Sequence, residues 1–218
     1  DNLRLVAVMN PINALQFFVD AKTGAKSIQD IKDKKIPLRI TVNRQGTLID
    51  VATEELLKTY GITYSDIAKW GGKVHKIPEA TDLWDAGQMD AIVEVSQFPT
   101  SRFYELGQKH DLIMLPIDPA NQEKLNKELG TSSLTIPAGT YSFQKEDCPT
   151  VSSQLLLITS ADQPDEVITG VLKAMTANID YLHSVHANLR DLSPETMSAN
   201  TSIPMHPAAE KFFRELKK

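Results

Sequence analysis

A group of hydrogen-bond donors lies where a β-branched strand is expected to pass into an amphipathic helix. The donors are Arg44, Gln45, Gly46 and Thr47, and the strand before them reads L-R-I-T-V. Backbone N–H groups at the start of a helix lack intrahelical partners and carry partial positive charge, so this junction suits an anion. The anion can belong to a nucleotide, to a reacting substrate or to a solute that is only bound. The alternative interpretation is a plain connector between strand and helix.

A second group of donors follows a predicted strand, in the turn S-Q-F-P-T at residues 96–100. Ser96, Gln97 and Thr100 can donate hydrogen bonds, and Phe98 could shield them from water. Open α/β sheets expose a ligand crevice at the carboxyl ends of their parallel strands, which is where this turn is expected. The alternative is an ordinary strand-to-helix turn in which Thr100 caps the helix.

The sequence contains no group of residues that indicates catalysis. The first turn lacks the glycine spacing of a P-loop or of a dinucleotide-binding motif, and no serine lies in a GxSxG context. Cys148 follows Glu146 and Asp147, an acidic setting that disfavours a reactive thiolate. The five histidines are scattered, with no HExxH motif or neighbouring cysteine to complete a metal site. We therefore predict a protein that is not an enzyme and that needs no cofactor or metal.

Composition excludes further classes of function. The chain has 218 residues, a net charge of −5 and a sequence pI near 5.6, so it lacks the basic surface that binding to nucleic acid requires. No apolar run approaches the ~20 residues of a membrane span. The single cysteine allows no internal disulfide. We expect a soluble globular protein with a sizeable core.

Short apolar strands alternate with helices, and three successive strand-helix-strand crossings predict a parallel sheet covered by helices. The predicted strands are Leu3–Met9, Ala14–Val19, Leu38–Val42, Lys73–Ile77, Asp90–Val95, Leu112–Pro116 and Thr150–Thr159. The main predicted helices are Thr47–Tyr60, Thr81–Ala86, Thr100–His110, Asp118–Leu129, Asp165–His186 and Pro207–Lys217. An Asn-Pro turn is expected to separate the first two strands.

The order of these elements predicts two domains joined by a hinge. Residues 36–150 form a self-contained parallel unit, and strands lie on both sides of it in the sequence. We therefore predict an outer domain made of residues 1–35 and 151–218, with domain 36–150 inserted into it. Two chain crossings between domains suit closure on a ligand.

Several separated stretches resemble the solute receptors of TRAP transporters, TAXI family. They cover much of the chain from about residue 16 and follow the same order as in that family. The stretches are S-I-Q-D-I-K-D-K-K-I, Q-G-T, L-L-K-T-Y-G-I-T-Y-S-D-I, D-A-G-Q-M-D-A-I-V-E-V with S-Q-F-P-T, T-I-P-A-G-T-Y and S-I-P-M-H-P-A-A-E-K-F-F.

The resemblance implies an α/β, periplasmic binding protein type II-like fold with two lobes and a hinge. It implies an extracytoplasmic receptor that captures a small carboxylate, such as glutamate, a related amino acid or a dicarboxylate. Its partners would be the membrane subunits of a TRAP transporter. Tyr141, at the end of P-A-G-T-Y, matches a family tyrosine that either contacts ligand or packs at the hinge. Tyr141 therefore joins the two donor turns in the expected ligand-binding set.

The chain also departs from the family pattern. Members normally carry a longer N-terminal region with a G-T-A-G-G-T-type loop, so we expect the outer lobe to be incomplete. Similar receptors often have small residues where this chain has Arg44 and Gln45, and Arg44 either anchors the ligand or points to solvent. Two rival functions remain at this stage. One is a small transferase on the same fold, and the other is the effector-binding domain of a regulator.

Overall fold

The computed structural model describes residues 2–77, 81–199 and 203–216 and confirms the α/β class. In these ranges, seven strands belong to one sheet and ten α-helices accompany them. The strands are β1 (Leu3–Asp20), β2 (Arg39–Thr41), β3 (Lys73–His75), β4 (Ala91–Ser96), β5 (Leu112–Met114), β6 (Ser132–Ile136) and β7 (Cys148–Ser160). The helices are α1 (Ile28–Asp33), α2 (Leu48–Thr59), α3 (Tyr64–Lys69), α4 (Thr81–Asp85), α5 (Ser101–Lys109), α6 (Pro119–Leu129), α7 (Asp165–Ala177), α8 (Ile179–Val185), α9 (Pro194–Met197) and α10 (Pro207–Leu216).

The chain forms two compact units. The larger unit is Ala14–Ser153, and the smaller unit combines Asp1–Asn13 with Gln154–Lys218. Strands β1 and β7 each contribute residues to both units.

The sheet of the larger unit is mixed rather than purely parallel. Its strand order is β3-β2-β4-β1-β7-β6, and β5 also pairs with β1. Strand β2 runs parallel to β3 and to β4, as predicted for this part of the chain. Strand β1 is antiparallel to β4 and β5, and β6 is antiparallel to β7. The sheet differs from the predicted parallel sheet because β1 lies beside the parallel strands and runs in the opposite direction.

Both faces of this sheet are covered. Phe17 and Phe18 are neighbours on β1, and successive strand residues point to opposite faces. Phe17 packs in one core with residues of α1, α2 and α3, whereas Phe18 packs in a second core with Phe103 of α5 and Tyr141. The ring centroids of Phe18 and Phe103 are 4.3 Å apart. This packing fixes the start of α5 against the strands.

The smaller unit has its own apolar core. Val6 of β1 packs there with Ile168 and Leu172 of α7 and with Phe213 of α10. Leu5 forms a parallel bridge with Met205, just before α10 begins.

Two predictions about element boundaries were wrong. Strand β1 runs without a turn from Leu3 to Asp20, and the Asn10 side chain accepts from the Ile12 amide at 3.0 Å within it. The predicted helix Asp165–His186 is interrupted at Asn178, which has φ −120° and ψ 30°. Asn178 donates through its side chain to Ala174 O at 2.8 Å, and such side-chain competition for backbone groups favours a helix end.

Candidate functional site

The two donor turns leave the sheet at the same edge. Strands β2 and β4 are parallel neighbours, with Ile40 paired to Ala91 and Thr41 paired to Ile92. The turn at residues 43–47 follows β2, and the turn at residues 96–100 follows β4. The carboxyl ends of adjacent parallel strands meet at one edge of a sheet. The fold therefore brings two segments that are distant in sequence to neighbouring positions.

The first turn is closed by its own hydrogen bonds. Gly46 has φ +75°, a conformation that glycine adopts without strain. Thr47 is the N-cap of α2, and its hydroxyl donates to Arg44 O at 2.7 Å and accepts from the Asp50 amide at 3.4 Å. The side chains of Arg44 and Gln45 are exposed and make no hydrogen bond or ion pair within the described ranges. Arg44 and Gln45 thus remain available to a ligand, whereas the Thr47 hydroxyl is already used.

A carboxylate of the protein itself fills the start of α2. Asp50 is 3% exposed, and its Oδ2 accepts from the Gly46 amide at 2.9 Å and from Lys76 Nζ at 3.2 Å. Its Oδ1 accepts from the Tyr64 hydroxyl at 3.1 Å. Burial acts to raise the pKa of Asp50, but the hydrogen bonds from Gly46, Lys76 and Tyr64 outweigh burial and lower it. The positive end of α2 therefore already faces an anion.

The second turn is held by a chain of polar side chains. The Tyr141 hydroxyl donates to Gln16 Oε1 at 2.6 Å and accepts from the Thr100 amide at 3.2 Å. Gln16 Nε2 donates to Ser96 Oγ at 3.2 Å. Tyr141 and Gln16 are both fully buried. Gln97 is partly buried and has no side-chain hydrogen bond to the described residues.

Three predicted site residues, Ser96, Thr100 and Tyr141, therefore belong to one hydrogen-bonded chain with Gln16, which was not predicted from the sequence. Gln16 connects Ser96 with Tyr141, and Tyr141 connects Gln16 with Thr100. The available signal was a lone amide side chain within the apolar strand A-L-Q-F-F-V. Buried polar groups need hydrogen-bond partners, so such a residue indicates a polar cluster in the fold.

The start of α5 differs from that of α2 in having unused hydrogen-bonding groups. Thr100 is the N-cap of α5 but makes no side-chain cap bond, and its Oγ1 is buried without a partner among the described residues. Arg102 Nε is also buried and unpartnered there. The first turn of α5 contains no acidic residue. The start of α5 thus keeps two unpartnered side-chain groups among the described residues, Thr100 Oγ1 and Arg102 Nε.

Glu94 forms an ion pair with Arg102. Glu94 Oε2 lies 3.4 Å from Arg102 Nη1, and the Glu94 side chain is 19% exposed. Burial raises the pKa of Glu94, although the charge of Arg102 and the Val95 amide oppose the rise. Glu94 therefore takes up a proton at a higher pH than an exposed glutamate does.

A small pocket lies between the first turn, strand β4 and helix α5. Its lining residues include Asn43 of the first turn, Ile49 of α2, Glu94 of β4 and Arg102 of α5. Its volume is about 10 Å³, which is close to the space for one water molecule. This pocket by itself does not enclose a solute of several heavy atoms.

Two other kinds of reactive site, a cysteine nucleophile and a metal centre, can be compared with the described residues. Cys148 is buried, and burial raises the pKa of its thiol to about 12, so it is not a nucleophile at neutral pH. Residues 2–77, 81–199 and 203–216 contain no cluster of three or more histidine, cysteine or acidic side chains that could hold a metal ion.

None of the described helices has the length and apolar character needed to cross a membrane.

Comparison with known proteins gives one family and several distant structural neighbours. The profile of the NMT1-like family matches residues 1–216. The periplasmic sulfonate-binding protein SsuA of Methylobacillus flagellatus KT is 12% identical, with a TM-score of 0.45 over 91% of this chain and 48% of that one. A protein of Bordetella bronchiseptica RB50 is 13% identical, with a TM-score of 0.47 over 98% and 66%. A TctC solute-binding protein from Polaromonas is 16% identical, with a TM-score of 0.39 over 99% and 69%. The chain spans about half the length of the SsuA protein.

Proposed function

This chain belongs to the NMT1-like family, and from that premise we propose that it acts in an extracytoplasmic, periplasmic receptor for a small carboxylate. The ligand is a glutamate-like amino acid or a dicarboxylate, and the receptor delivers it to the membrane subunits of a TRAP-type transporter. One observation carries this proposal. Two donor-rich turns, at residues 43–47 and 96–100, leave the same edge of the sheet from adjacent parallel strands.

The unused groups of the second turn suit a ligand carboxylate. The Thr100 hydroxyl and Arg102 Nε lack partners in the described structure, and α5 begins beside them. A guanidinium and a helix start both favour a carboxylate. We therefore place the carboxylate at the start of α5, with Ser96 and Gln97 beside it.

The first turn forms the other part of the proposed site. Arg44 and Gln45 are exposed and offer side-chain donors. Gly46 and Thr47 set the shape of the turn, because their hydrogen bonds are made to Asp50 and Arg44. Tyr141 is fully buried and acts by positioning Thr100 rather than by contact with ligand.

Affinity requires both turns and further donors. A micromolar site corresponds to about −8 kcal/mol. One anion at a helix start contributes only about 0.3–2 kcal/mol. Several groups must therefore converge on the ligand, and the two turns supply part of them. Binding then shifts an equilibrium between open and closed forms and involves no chemical turnover.

Isothermal titration with a matched pair of variants tests this function. Glutamate, glutamine, 2-oxoglutarate and succinate are titrated into the wild type, Thr100→Val and Thr47→Val. We expect saturable heat with at least one acid and about a tenfold weaker dissociation constant for Thr100→Val, equivalent to about 1.4 kcal/mol. Thr47→Val should mainly lower stability, because it removes a helix cap worth about 0.5–2 kcal/mol.

The possible results test two hypotheses separately: that the protein binds an acid, and that the carboxylate of this acid lies at the start of α5. If folded wild-type protein gives no saturable heat with any of the four compounds, the acid-receptor proposal is wrong. If an acid binds but Thr47→Val weakens it as much as Thr100→Val does, the receptor stands and the assignment to α5 is wrong. Circular dichroism of each variant establishes that it is folded.

A further inference from the structure

Gln16 is a polar residue within the largely apolar strand β1, and its side chain is fully buried. In the antiparallel pairing of β1 with β4, Gln16 lies opposite Glu94 and Ala14 lies opposite Ser96. Alternate residues of a strand point to the same face, so Gln16 and Ser96 are diagonal neighbours on one face of the sheet. The small side chain of Ala14 leaves room for Gln16 Nε2 to approach Ser96 Oγ, at 3.2 Å.

The side-chain amide of Gln16 has a defined orientation, because its two ends have different partners. Its Oε1 accepts from the Tyr141 hydroxyl at 2.6 Å, and its Nε2 donates to Ser96 Oγ. The Tyr141 oxygen in turn accepts from the Thr100 amide at 3.2 Å. If the Gln16 amide were turned by 180°, the Tyr141 oxygen would face two N–H groups and its hydroxyl would lose its acceptor. The orientation with Oε1 toward Tyr141 therefore satisfies the buried hydroxyl, and the opposite orientation does not.

This orientation determines how Ser96 uses its hydroxyl group. A hydroxyl has a single hydrogen to donate and lone pairs that accept. Because Gln16 Nε2 already donates to Ser96 Oγ, the hydroxyl hydrogen of Ser96 points away from Gln16. Ser96 is partly exposed and is the last residue of β4, just before the turn to α5. The Ser96 hydroxyl therefore acts as a donor toward an acceptor that faces it at this edge of the sheet.

We propose that Gln16 is a positioning residue of the ligand site, which holds the Ser96 hydroxyl as a hydrogen-bond donor to a ligand carboxylate. This inference rests on the proposed function, which places a carboxylate beside Ser96 at the start of α5. A carboxylate accepts hydrogen bonds and donates none, so it matches a hydroxyl whose hydrogen points outward. An ammonium group, which only donates, does not match it. Gln16 acts through Ser96, because its own side chain is fully buried.

The lack of charge on Gln16 suits this role. Glu94 lies opposite Gln16 on the same face, and its Oε2 is 3.4 Å from Arg102 Nη1. An ionised glutamate at position 16 would place a like charge beside Glu94 and would accept from Ser96 rather than donate to it. A neutral amide supplies both the donor to Ser96 and the acceptor for Tyr141.

A double-mutant cycle in isothermal titration calorimetry tests the assigned role. Glutamate, glutamine, 2-oxoglutarate and succinate are titrated into the wild type, Ser96→Ala, Gln16→Met and the double variant. We expect each single substitution to weaken binding of the acid about tenfold, because each removes the same charge-assisted hydrogen bond. The double variant should bind within about twofold of Ser96→Ala alone, since residues that act through one another are not additive.

Gln122→Met is the matched control for the loss of a buried glutamine. Gln122 is 6% exposed, lies on helix α6 of the same unit, and donates through Nε2 to Ile117 O at 2.7 Å. Its replacement should lower stability, because the Ile117 carbonyl loses a donor. It should leave the dissociation constant of the acid within about twofold, since it has no contact with the proposed site. Circular dichroism establishes that each variant is folded.

Nuclear magnetic resonance tests the direction of the hydrogen bond without a ligand. The side-chain amide resonances of Gln16 are identified by their loss in Gln16→Met. In the ligand-free protein, Ser96→Ala should shift these resonances, because it removes the acceptor of Gln16 Nε2.

The results distinguish an error in the role of Gln16 from an error in the proposed function. If folded wild-type protein binds none of the four compounds, the proposed function is wrong, and the role of Gln16 is wrong with it. If an acid binds but the effects of Gln16→Met and Ser96→Ala multiply in the double variant, only the role of Gln16 is wrong. The same conclusion follows if Gln16→Met weakens binding no more than Gln122→Met does, or if Ser96→Ala leaves the Gln16 resonances unshifted.

Discussion

At the scale of single residues, the two helix starts differ in how their hydrogen-bonding groups are satisfied. Asp50 supplies an anion to the amide of Gly46 at the start of α2. Thr100 and Arg102 keep unpartnered groups at the start of α5. A helix start attracts an external anion only when its donors are free. The third residue after the helix cap therefore affects anion binding as well as the turn before the helix does, and in α2 that residue is Asp50.

Removal of the Asp50 side chain should destabilise the protein strongly. Asp50→Ala leaves the Gly46 amide, the Tyr64 hydroxyl and the Lys76 ammonium without their acceptor. Hydrogen bonds to a charged group contribute about 1.5–3 kcal/mol, so we expect a loss of about 3 kcal/mol in the free energy of unfolding. Urea unfolding at pH 7 measures it. A loss under 1 kcal/mol would contradict the assigned role.

The same carboxylate predicts a pH dependence. The pKa of Asp50 is lowered in the folded protein, so its contribution to stability is complete above the pKa of the unfolded chain. That contribution is lost as the pH falls below about 4 and through the folded value. The stability difference between the wild type and Asp50→Asn should therefore shrink in acid. Parallel urea titrations at pH 7 and in acid would show whether it does.

Tyr141 should act through its hydroxyl group. Tyr141→Phe leaves Gln16 Oε1 without its donor in buried surroundings and the Thr100 amide without its acceptor in partly buried ones. Such losses cost about 1–3 kcal/mol. Tyr104→Phe is the control, since Tyr104 is 39% exposed and its hydroxyl bonds to no described residue. Chemical denaturation of both variants should show a large change only for Tyr141→Phe, and equal effects would contradict the polar cluster.

At the scale of elements, helix α5 is fixed by close packing against the aromatic core. Gly107 lies within α5, and a Cβ at this position would overlap the ring of Phe143. That ring stacks on Tyr141 with centroids 5.4 Å apart and an interplanar angle of 10°. The ring cannot move without disturbing Tyr141. The position of Thr100 at the helix start thus depends on a glycine two turns away.

Replacement of either of two helical glycines by alanine should change the stability of the protein, and the two changes should have opposite signs. Gly107→Ala should destabilise by about 1–3 kcal/mol, because overpacking outweighs the better helix propensity. Gly170→Ala in α7 meets no atom within 4 Å, so it should stabilise by about 0.5–1 kcal/mol. Thermal unfolding of the two variants against the wild type measures both. Stabilisation by Gly107→Ala would show that α5 is not packed as closely as described.

At the scale of the whole molecule, ligand binding should appear as global stabilisation. A ligand at 100 times its dissociation constant raises the free energy of unfolding by about 2.7 kcal/mol. At the same concentration, a tenfold weaker Thr100→Val variant should gain only about 1.4 kcal/mol. Urea unfolding with and without the acid that binds in calorimetry provides the measurement. Equal gains in both proteins would place the ligand away from Thr100.

The sequence alone determined the local elements on either side of the proposed site. Helix Thr47–Tyr60 was predicted and α2 spans Leu48–Thr59, and Thr100–His110 was predicted where α5 spans Ser101–Lys109. Gly61, just after α2, has a left-handed φ of +69°, which is a common way for a helix to end. These features depend on caps and side-chain periodicity, which act over a few residues and can be recognised without the fold.

Only the tertiary structure decided which polar groups meet. Gln16 and Tyr141 are 125 residues apart in the sequence, and Lys76 reaches Asp50 from 26 residues away. The same structure joined two predicted strands into β1 and placed β1 antiparallel to β4. Strand order and side-chain burial set these contacts, and both follow from how the whole chain covers its apolar surface rather than from any short stretch. The sequence therefore pointed to both donor turns, while the fold decided which helix start still has free donors.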